Sequence, residues 1–545
     1  MRILSPVLLA TCAACGGAPS PASPWLVDGT AAVGLDGVAP RPLSRAFHMA
    51  DSMGGGCALF DLEGDGDLDL YLVRGGSGGT GAANLLFRQG ADGRFAPVAD
   101  GGGAADEGNG MGVAIGDLDN DGDLDLYVTC LGPDRLFLNT GDGRFEEVGE
   151  AAGVATQGWS ASAGFFDYDA DGFLDLFVTR YLDYDHERAR RGSDGLTDFP
   201  GPQRFAGVAD VLYHNQGDGT FRDVSAEAGV AARPGKGLGL LFGDLDEDGR
   251  ADIYVANDGE PNFAWLQVAP GQFLERALSL GLALNSVGRP EAGMGVTAGD
   301  VDGDGIEELF VTHLTGETNT LYRRRSGGKF VDETRRAGLG ASSSERTGFG
   351  TDFLDLDLDG DLDLLVADGR IQRGLPPAGA TAGGGWAPYA EPDLLYLNDG
   401  AGVFELARGR AGSLWNAPGV GRGLATGDVD GDGDVDVLLT SADGTLRFLR
   451  NEAPRGGRPI ALRLWDPALQ REVPGAVVIV ESGGRLQRRT VGRCRSYLSS
   501  ADGTVYFGLT APIESLRVRW PDGSLESFDP PPTSEPRVLW KGTGS

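Results

Sequence analysis

Short apolar runs recur along this chain, each after a glycine-rich, acidic segment. Seven of them read LDLYLV, LDLYVT, LDLFVT, ADIYVA, EELFVT, LDLLVA and VDVLLT. Most units show a second run with a polar turn and an aromatic residue, as in RLFLNTGDGRF and VLYHNQGDGTF. Runs of this length bounded by Gly, Asn and Asp are typical of short β-strands. The pattern therefore predicts several short strands in every unit.

The units repeat with a period that indicates the fold. An acidic nonapeptide opens each unit, and its copies begin at residues 61, 117, 167, 244, 300, 355 and 428. Repeats of about 40 to 50 residues with four strands each are typical of propeller blades, and insertions lengthen them. We predict an all-β fold: a seven-bladed β-propeller over residues 25–453, then a small antiparallel β domain over residues 455–545. Residues 25–35 resemble the outer strands of later units, so we expect them to complete the last blade and close the ring.

The last 90 or so residues differ in composition from the rest. Residues 455–545 hold 13 Lys and Arg against 9 Asp and Glu, whereas the whole chain carries a net charge of −34. They contain no acidic nonapeptide, and their strands alternate around a Gly483-Gly484 turn, which predicts a hairpin. A cluster of five arginines between Arg485 and Arg495 could recognise an anionic glycan, an acidic partner or this protein's own propeller, or it could be a solvated hairpin.

The nonapeptide D-x-[DE]-x-D-G-x-x-[DE] has the chemistry of a calcium loop. Calcium takes six to eight oxygen ligands from carboxylates, carbonyls and water. Positions 1, 3, 5 and 9 supply carboxylates, position 7 is expected to offer its carbonyl, and glycine at position 6 permits the sharp turn. An EF-hand would need Glu at position 12, where the first copy has Leu72. We therefore expect up to seven structural Ca²⁺ ions.

The predicted calcium ligands number four in each loop. They are Asp61, Glu63, Asp65 and Asp69; Asp117, Asp119, Asp121 and Asp125; Asp167, Asp169, Asp171 and Asp175; Asp244, Asp246, Asp248 and Asp252; Asp300, Asp302, Asp304 and Glu308; Asp355, Asp357, Asp359 and Asp363; and Asp428, Asp430, Asp432 and Asp436. These 28 carboxylates account for much of the negative charge, so no cationic partner is needed to explain it. A nucleic acid is excluded as a partner of the acidic main body.

The N-terminus has the pattern of a secretory signal. A basic residue, an apolar stretch and small residues precede Cys15, which predicts a signal peptide of lipoprotein type over residues 1–15 and a linker over 16–24. Cys12 is a second candidate for lipidation, and a plain cleaved signal is the alternative to both. We expect an extracytoplasmic protein, either lipid-anchored at a bacterial cell envelope or secreted, with the lipid as its one membrane attachment. The remaining cysteines, Cys57, Cys130 and Cys494, are too sparse for a disulfide framework.

Two sets of motifs resemble known families. The nonapeptides with their glycine-rich lead-ins resemble the FG-GAP/VCBS repeats of integrin α-subunit propellers. The phrases DVLYHNQGDGTFRDVSAEAGV and GETNTLYRRRSGGKFVDETRRAGL are similar to the cartilage-acidic-protein-like family. GGRLQRRTVGRCRSYLSSADGTVYFGL resembles the ASPIC/UnbV domain that ends those proteins. The resemblance implies a secreted calcium-binding propeller with a small C-terminal β domain. Family members commonly carry cysteines before the fourth blade, whereas this chain has DFPGPQR there, which puts a disulfide in that loop in doubt.

The sequence favours a binding protein over an enzyme. None of the four histidines stands in a spaced metal motif, and no nucleophile or phosphate fingerprint occurs in a supporting context. Long insertions near residues 185–210 and 370–391 are candidate binding loops or solvated decoration. We predict a non-enzymatic monomer that binds a protein or carbohydrate partner. The alternative is a propeller-type enzyme, such as a polysaccharide lyase or a secondary-metabolite tailoring enzyme, with His186, Arg204 and His313 as first residues to test. His313 could line a propeller face or be a satisfied loop histidine.

Overall fold

A computed structural model describes residues 23–75, 82–185, 187–188, 198–325, 327–531 and 536–545. Within them, seven four-stranded antiparallel sheets follow one another along the chain, each with its strands in sequence order except the last. The predicted signal peptide, Cys12, Cys15 and His186 lie outside the described residues. No helix in the described part of the chain is both long and apolar enough to cross a membrane.

Blades 1 to 3 are built from consecutive strands. Strand β1 (Leu26–Asp28) precedes them and belongs to blade 7. Blade 1 has β2 (Cys57–Phe60), β3 (Asp69–Leu72), β4 (Leu85–Gln89) and β5 (Phe95–Pro97). Blade 2 has β6 (Gly110–Gly116), β7 (Asp125–Cys130), β8 (Arg135–Asn139) and β9 (Phe145–Glu147). Blade 3 has β10 (Ser160–Phe166), β11 (Asp175–Arg180), β12 (Val211–Asn215) and β13 (Phe221–Asp223).

Blades 4 to 7 continue in the same way. Blade 4 has β14 (Gly237–Gly243), β15 (Asp252–Asn257), β16 (Phe263–Ala269) and β17 (Gln272–Glu275). Blade 5 has β18 (Val296–Gly299), β19 (Glu308–Val311), β20 (Thr320–Arg325) and β21 (Lys329–Asp332). Blade 6 has β22 (Gly348–Leu354), β23 (Asp363–Asp368), β24 (Leu394–Asn398) and β25 (Phe404–Leu406). Blade 7 has β26 (Gly421–Gly427), β27 (Asp436–Ser441), β28 (Leu446–Asn451) and, as its outermost strand, β1.

Short helices link the blades in the described residues. The α-helices are α1 (Met49–Met53), α2 (Gly149–Ala152), α3 (Ser225–Ala228), α4 (Ala277–Leu280), α5 (Gly340–Ser343) and α6 (Ser413–Asn416). Single 3-10 turns lie at Pro202–Arg204, Val230–Ala232 and Ala387–Tyr389, and Ala99–Gly103 is a kinked turn with left-handed backbone at its middle residues. They are too short to form layers of their own, so the fold is all-β, as predicted.

The sheets form a ring. The first strand of each blade contacts the first strand of the next, and β26 of blade 7 contacts β2 of blade 1. Strand β1 pairs with β28 in antiparallel register, with Leu26 opposite Asn451, so the start of the chain completes the last blade as the sequence predicts. A buried apolar cluster fills each interface between neighbouring blades. Because these strands are buried on both faces, their sequences read as nearly continuous apolar runs.

The C-terminal residues form a separate β domain of two sheets. Its strands are β29 (Arg458–Asp466), β30 (Arg471–Glu472), β31 (Val477–Ser482), β32 (Arg485–Thr490), β33 (Val505–Leu509), β34 (Ile513–Arg519), β35 (Leu525–Phe528) and β36 (Arg537–Trp540). One sheet has the order β32-β31-β34-β35; the other places β30, β33 and β36 against β29, with β36 parallel. The predicted antiparallel domain is therefore mixed at one pair. Gly483 and Gly484, both at positive φ, make the predicted β31–β32 hairpin turn.

A segment of the C-terminal domain enters the channel of the propeller. We call residues 493–502 the plug. The plug pairs with inner strands on opposite sides of the ring: Ser500 N donates to Cys57 O at 2.9 Å, and Ser496 N donates to Val296 O at 2.7 Å. Tyr497 and Leu498 pack in one buried cluster with helix α1. A Cβ on Gly56 would overlap the carbonyl oxygen of Leu498, so the glycine-rich lead-ins make room for the plug as well as for turns.

Candidate metal loops and the surfaces around them

All seven acidic nonapeptides adopt one turn between the first and second strands of a blade. In every copy the position 6 glycine N–H donates to Oδ2 of the position 1 aspartate at 2.9–3.1 Å. The position 7 N–H donates to the position 5 carboxylate at 2.8–3.1 Å. The glycine lies at positive φ in each loop, for example 96° at Gly66, a conformation that glycine adopts without steric cost. The backbone thus orients two carboxylates before any ion is considered.

The position 9 carboxylate joins the loop to the sheet. It lies on the first residue of the second strand and is fully buried, with exposures of 0–4%. In six loops one oxygen of this carboxylate accepts a hydrogen bond from the backbone N–H of position 2. Also in six loops, the second oxygen accepts a hydrogen bond from a backbone N–H of the third strand. This carboxylate is therefore held rigidly at the inner end of the loop.

Burial makes these carboxylates costly to ionise without a cation. The pKa of Asp125 is raised to about 8, that of Asp175 to about 9 and that of Glu308 to about 8; desolvation is the main cause, and repulsion from neighbouring loop carboxylates contributes to each. Desolvation likewise raises the pKa of Asp117 and of Asp252 to about 7. At neutral pH a nearby cation would therefore lower the cost of ionising such a loop.

The donor set fits a hard divalent cation. In loops 2 to 5, ligand oxygens of three loop carboxylates lie within 4.8 Å of one another. In loops 2 to 6, several oxygens at the predicted ligand positions are buried and accept no hydrogen bond: Oδ1 of Asp117, Asp169, Asp244, Asp246 and Asp355, and Oε1 of Glu308. Buried acceptors are ordinarily paired, so unpartnered carboxylate oxygens within an acidic cluster agree with the needs of a calcium site.

Position 4 of the loop also takes a left-handed conformation, which sequence reasoning missed. In the seven loops φ at this position lies between 58° and 72°. Three copies have glycine, but the others have Asn120, Ala170, Glu247 and Leu358. Left-handed backbone costs a non-glycine residue about 1–2 kcal/mol. The fold accepts this strain in several loops so that their carboxylates converge.

An amide side chain links six of the seven loops to the next blade, a feature that sequence reasoning also missed. In six blades an Asn or Gln near the end of the third strand donates a side-chain N–H to the position 2 carbonyl of the preceding loop. It is the last residue of the strand in five blades, whereas Gln267 lies two residues before the end of β16. The pairs are Gln89 with Val429, Asn139 with Leu62, Asn215 with Leu118, Gln267 with Tyr168, Asn398 with Val301 and Asn451 with Leu356, at 2.7–3.2 Å. We call these residues the clamp amides. Their signal was visible in the phrases FLNTGDG, YHNQGDG and YLNDGAG.

Blade 5 departs from the clamp pattern. Arg324 replaces the amide, and its Nη1 lies 3.0 Å from Oε1 of Glu247 in the blade 4 loop. A charged pair thus replaces the amide–carbonyl hydrogen bond at the same joint. Gln89 contacts loop 7 from blade 1, so the series of clamps runs around the whole ring.

The C-terminal domain covers the face of the propeller that carries the acidic loops. Its arginines approach position 1 carboxylates: Arg463 with Asp61 at 3.3 Å, Arg471 with Asp167 at 3.6 Å and Arg519 with Asp244 at 3.6 Å. Within the arginine cluster, Arg485 pairs with Asp361, Arg488 donates to Gly305 O at 3.0 Å, and Arg495 pairs with Asp352 at 2.8 Å. The sequence left several partners open for the arginine cluster, and these contacts are with the propeller of the same chain.

A cavity of about 610 Å³ lies between the two domains. Phe165, Phe242 and Leu469 contribute apolar walls, and Trp520 contributes a buried indole N–H without a hydrogen-bond partner. Its arginines are matched by carboxylates, as in the pair of Arg493 with Glu472 at 2.6 Å. The cavity is therefore large but close to balanced in charge.

The remaining candidate residues have structural surroundings. His313 is 1% exposed, and burial lowers its pKa to about 4, so it is neutral and does not line an open face. Arg204 ends a 3-10 turn in the blade 3 insertion. Cys57 and Cys130 are buried free thiols, and Cys494 is a half-buried one whose Sγ lies 3.5 Å from Ala163 O.

The two long insertions meet on the other face of the ring. Each follows the second strand of its blade, and that strand runs away from the acidic loop. Phe199 of the blade 3 insertion stacks on Trp386 of the blade 6 insertion with ring centroids 5.8 Å apart, and Phe47 packs edge-on at 5.4 Å. Tyr389 Oη donates to Asp198 Oδ1 at 2.7 Å. We call residues 39–53, 198–206 and 370–391 the cap.

Comparisons with known proteins agree with this architecture. The FG-GAP-like repeat model matches residues 61–128, 129–178, 194–255, 244–311 and 300–366, more than half of the chain. The ASPIC and UnbV model matches residues 467–542. Cartilage acidic protein 1 of Xenopus tropicalis is 26% identical over 312 residues, covering 56% of this chain and 44% of that protein. The Mus musculus protein is 32% identical over 168 residues, covering 30% and 25%. The chain thus spans less than half the length of these relatives.

Solved structures with some likeness include a BBS1N complex with ARL6DN (10% identity, TM-score 0.39, covering 76% of this chain and 96% of that one). Rhamnogalacturonan lyase YesW is another, with 15% identity, a TM-score of 0.38 and coverage of 74% and 72%. At these TM-scores neither likeness carries an argument about this chain.

Proposed function

Because this chain belongs to the FG-GAP-like repeat proteins of the cartilage-acidic-protein-like family, with a C-terminal ASPIC and UnbV domain, we propose that it is an extracytoplasmic calcium-binding propeller. Calcium is structural in this proposal, with up to seven ions, and the protein binds a partner without catalysing a reaction. The observation that carries the calcium proposal is the repeated turn with its converging, partly unpartnered carboxylates.

Calcium in a loop would stabilise contacts beyond that loop. The position 2 carbonyl that accepts a clamp amide lies between ligand positions 1 and 3, so ordering the loop also orders the joint to the next blade. At a concentration 100 times its Kd, one ion stabilises the folded state by about 2.7 kcal/mol. Several such ions would supply a large share of the stability of a domain, which is ordinarily about 5–15 kcal/mol.

The cap is the surface we propose for partner binding. The plug and helix α1 pack together in the channel, and the C-terminal domain contacts the loop face, whereas the cap lies on the opposite face. The cap presents Arg373, whose guanidinium lies 5.7 Å from the Phe47 ring, and Leu375, which is 89% exposed. A cation, an exposed apolar side chain and aromatic rings on rigid blades suit a protein or carbohydrate ligand.

The test is a screen of calcium-loaded protein against glycan and protein arrays, with cap variants. Arg373→Ala together with Leu375→Ser should abolish a hit, whereas Leu525→Ser, which removes an exposed leucine of the C-terminal domain, should keep it. A hit that survives the cap variant and is lost in the control would contradict the cap assignment. Cleavage or modification of a bound glycan, seen by mass spectrometry, would contradict the non-enzymatic proposal.

A further inference from the structure

The residue before each clamp amide, or before Arg324 in blade 5, differs among blades in a way that bears on the metal. Blades 2, 4 and 6 have leucine there; blades 1, 5 and 7 have arginine; blade 3 has His214. The residues are Leu138, Leu266 and Leu397; Arg88, Arg323 and Arg450; and His214. In blades 1 and 5 the arginine reaches the loop of its own blade: Arg88 Nε lies 2.6 Å from Glu63 Oε1, and Arg323 Nη1 lies 3.3 Å from Asp302 Oδ2. A side chain at this place can thus reach the ligand oxygens.

In blade 3 the side chain at this place is a histidine that lies close to two carboxylates of the loop. His214 Nδ1 lies 3.2 Å from Asp175 Oδ1 and 3.4 Å from Asp169 Oδ2. Ligand atoms of Asp169, Asp175 and His214 all fall within 4.8 Å of one another. The imidazole is only about one-fifth exposed, and Oδ1 of Asp169 is buried without a hydrogen-bond partner.

We propose that His214, together with Asp169 and Asp175, makes the blade 3 loop a site for a nitrogen-accepting divalent cation such as Zn²⁺ or Mn²⁺. The inference rests on the proposed function, since it assigns a different metal to one of the proposed calcium loops. Calcium sites use oxygen ligands, whereas imidazole suits zinc and its neighbours in the transition series.

The separations agree with a shared metal ion. Bonds of about 2.1 Å to two ligands at 90–109° place those ligands about 3.0–3.4 Å apart. A proton on Nδ1 could satisfy one carboxylate, and Asp175 Oδ1 already accepts the Asn215 N–H at 2.9 Å. A metal ion would bind the imidazole nitrogen and both carboxylates at once, and Asp167 and Asp171 would complete its coordination.

The full chain is first saturated with Ca²⁺. One sample is then titrated with Zn²⁺ in a calorimeter, and a second receives one equivalent of Mn²⁺ for pulsed electron paramagnetic resonance. We expect one Zn²⁺ site per chain that persists in calcium, and a Mn²⁺ spectrum with ¹⁴N coupling. His214→Leu, which copies blades 2, 4 and 6, should remove both signals. Leu138→His should create a second such site in blade 2, and His48→Gln should change nothing.

Two results would overturn the inference: unchanged Zn²⁺ binding in His214→Leu, or a Mn²⁺ spectrum with oxygen ligands alone. Elemental analysis of the same samples distinguishes a failure of this inference from a failure of the proposed function. Calcium in the other loops without a nitrogen-bound metal would refute this inference and leave the proposed function standing. Calcium in none of the loops would refute both. If His214→Leu does not fold, a Leu138→His chain that lacks a second Zn²⁺ site would overturn the inference.

Discussion

The clamp amide that closes the ring gives the sharpest prediction about stability. Gln89 is 5% exposed; its Nε2 donates to Val429 O at 2.7 Å, and its Oε1 accepts the Leu68 N–H at 3.1 Å. Gln89→Leu keeps most of the volume but leaves a carbonyl and an N–H buried without partners. Each such group costs about 1–3 kcal/mol, so the free energy of unfolding should fall by about 2–4 kcal/mol.

Urea unfolding followed by tryptophan fluorescence, at fixed calcium, measures this loss as a shift of the midpoint without a change in slope. Gln216→Ala is the matched control, because Gln216 is an exposed residue whose Nε2 contacts only the Thr220 side chain. The control should stay within about 0.5 kcal/mol of the parent, as surface substitutions do. A Gln89→Leu chain as stable as the control would refute the role of the clamps in joining the blades.

Three further predictions concern the loops and the plug. Without calcium, burial raises the pKa of Asp125 to about 8 and that of Asp175 to about 9, whereas carboxylates of the unfolded chain titrate near 4. The folded state therefore binds more protons than the unfolded state, and thermal melts in EGTA should show stability falling as the pH rises from about 5 to 9. A rise in stability over this range would contradict the clustering of buried carboxylates. Ala170→Gly should raise the free energy of unfolding by about 0.5–1 kcal/mol, because exposed Ala170 lies at φ 60°. A lower free energy of unfolding, measured by urea titration, would contradict the inferred backbone strain at Ala170. Arg495→Ala should destabilise the chain by about 2–4 kcal/mol and expose the plug to proteolysis, because it leaves the Asp352 carboxylate buried without its cation. Arg537→Ala serves as the control, and equal cleavage of the two variants would refute the anchoring of the plug by Arg495.

Much of the fold could be predicted because its determinants are local and repeated. The nonapeptide fixes a turn by hydrogen bonds within nine residues, and the apolar runs on either side specify strands buried on both faces. The closing strand was predictable too, because Leu26–Asp28 resembles outer strands of other blades. The all-β propeller fold with a C-terminal ASPIC and UnbV domain is therefore confirmed.

The contacts between distant segments could not be predicted in the same way. The clamp amides were visible as Asn and Gln in a repeated phrase, but their acceptors lie in the preceding blade, up to 340 residues away for Gln89. The plug looks like an ordinary loop of the C-terminal domain until it meets the inner strands. Its sequence contains no periodic signal, and its partners, such as the Cys57 and Val296 carbonyls and the Asp352 side chain, belong to blades far away in the chain.

The number of calcium ions bound per chain decides whether the acidic loops are metal sites. Equilibrium dialysis against radioactive calcium, up to the millimolar range in which extracellular modules bind, gives that number. The account predicts saturation at six or seven ions per chain, the lower number if a transition metal holds the blade 3 loop, and a loss of one ion when Asp119 is replaced by alanine. Saturation below one ion per chain would contradict it.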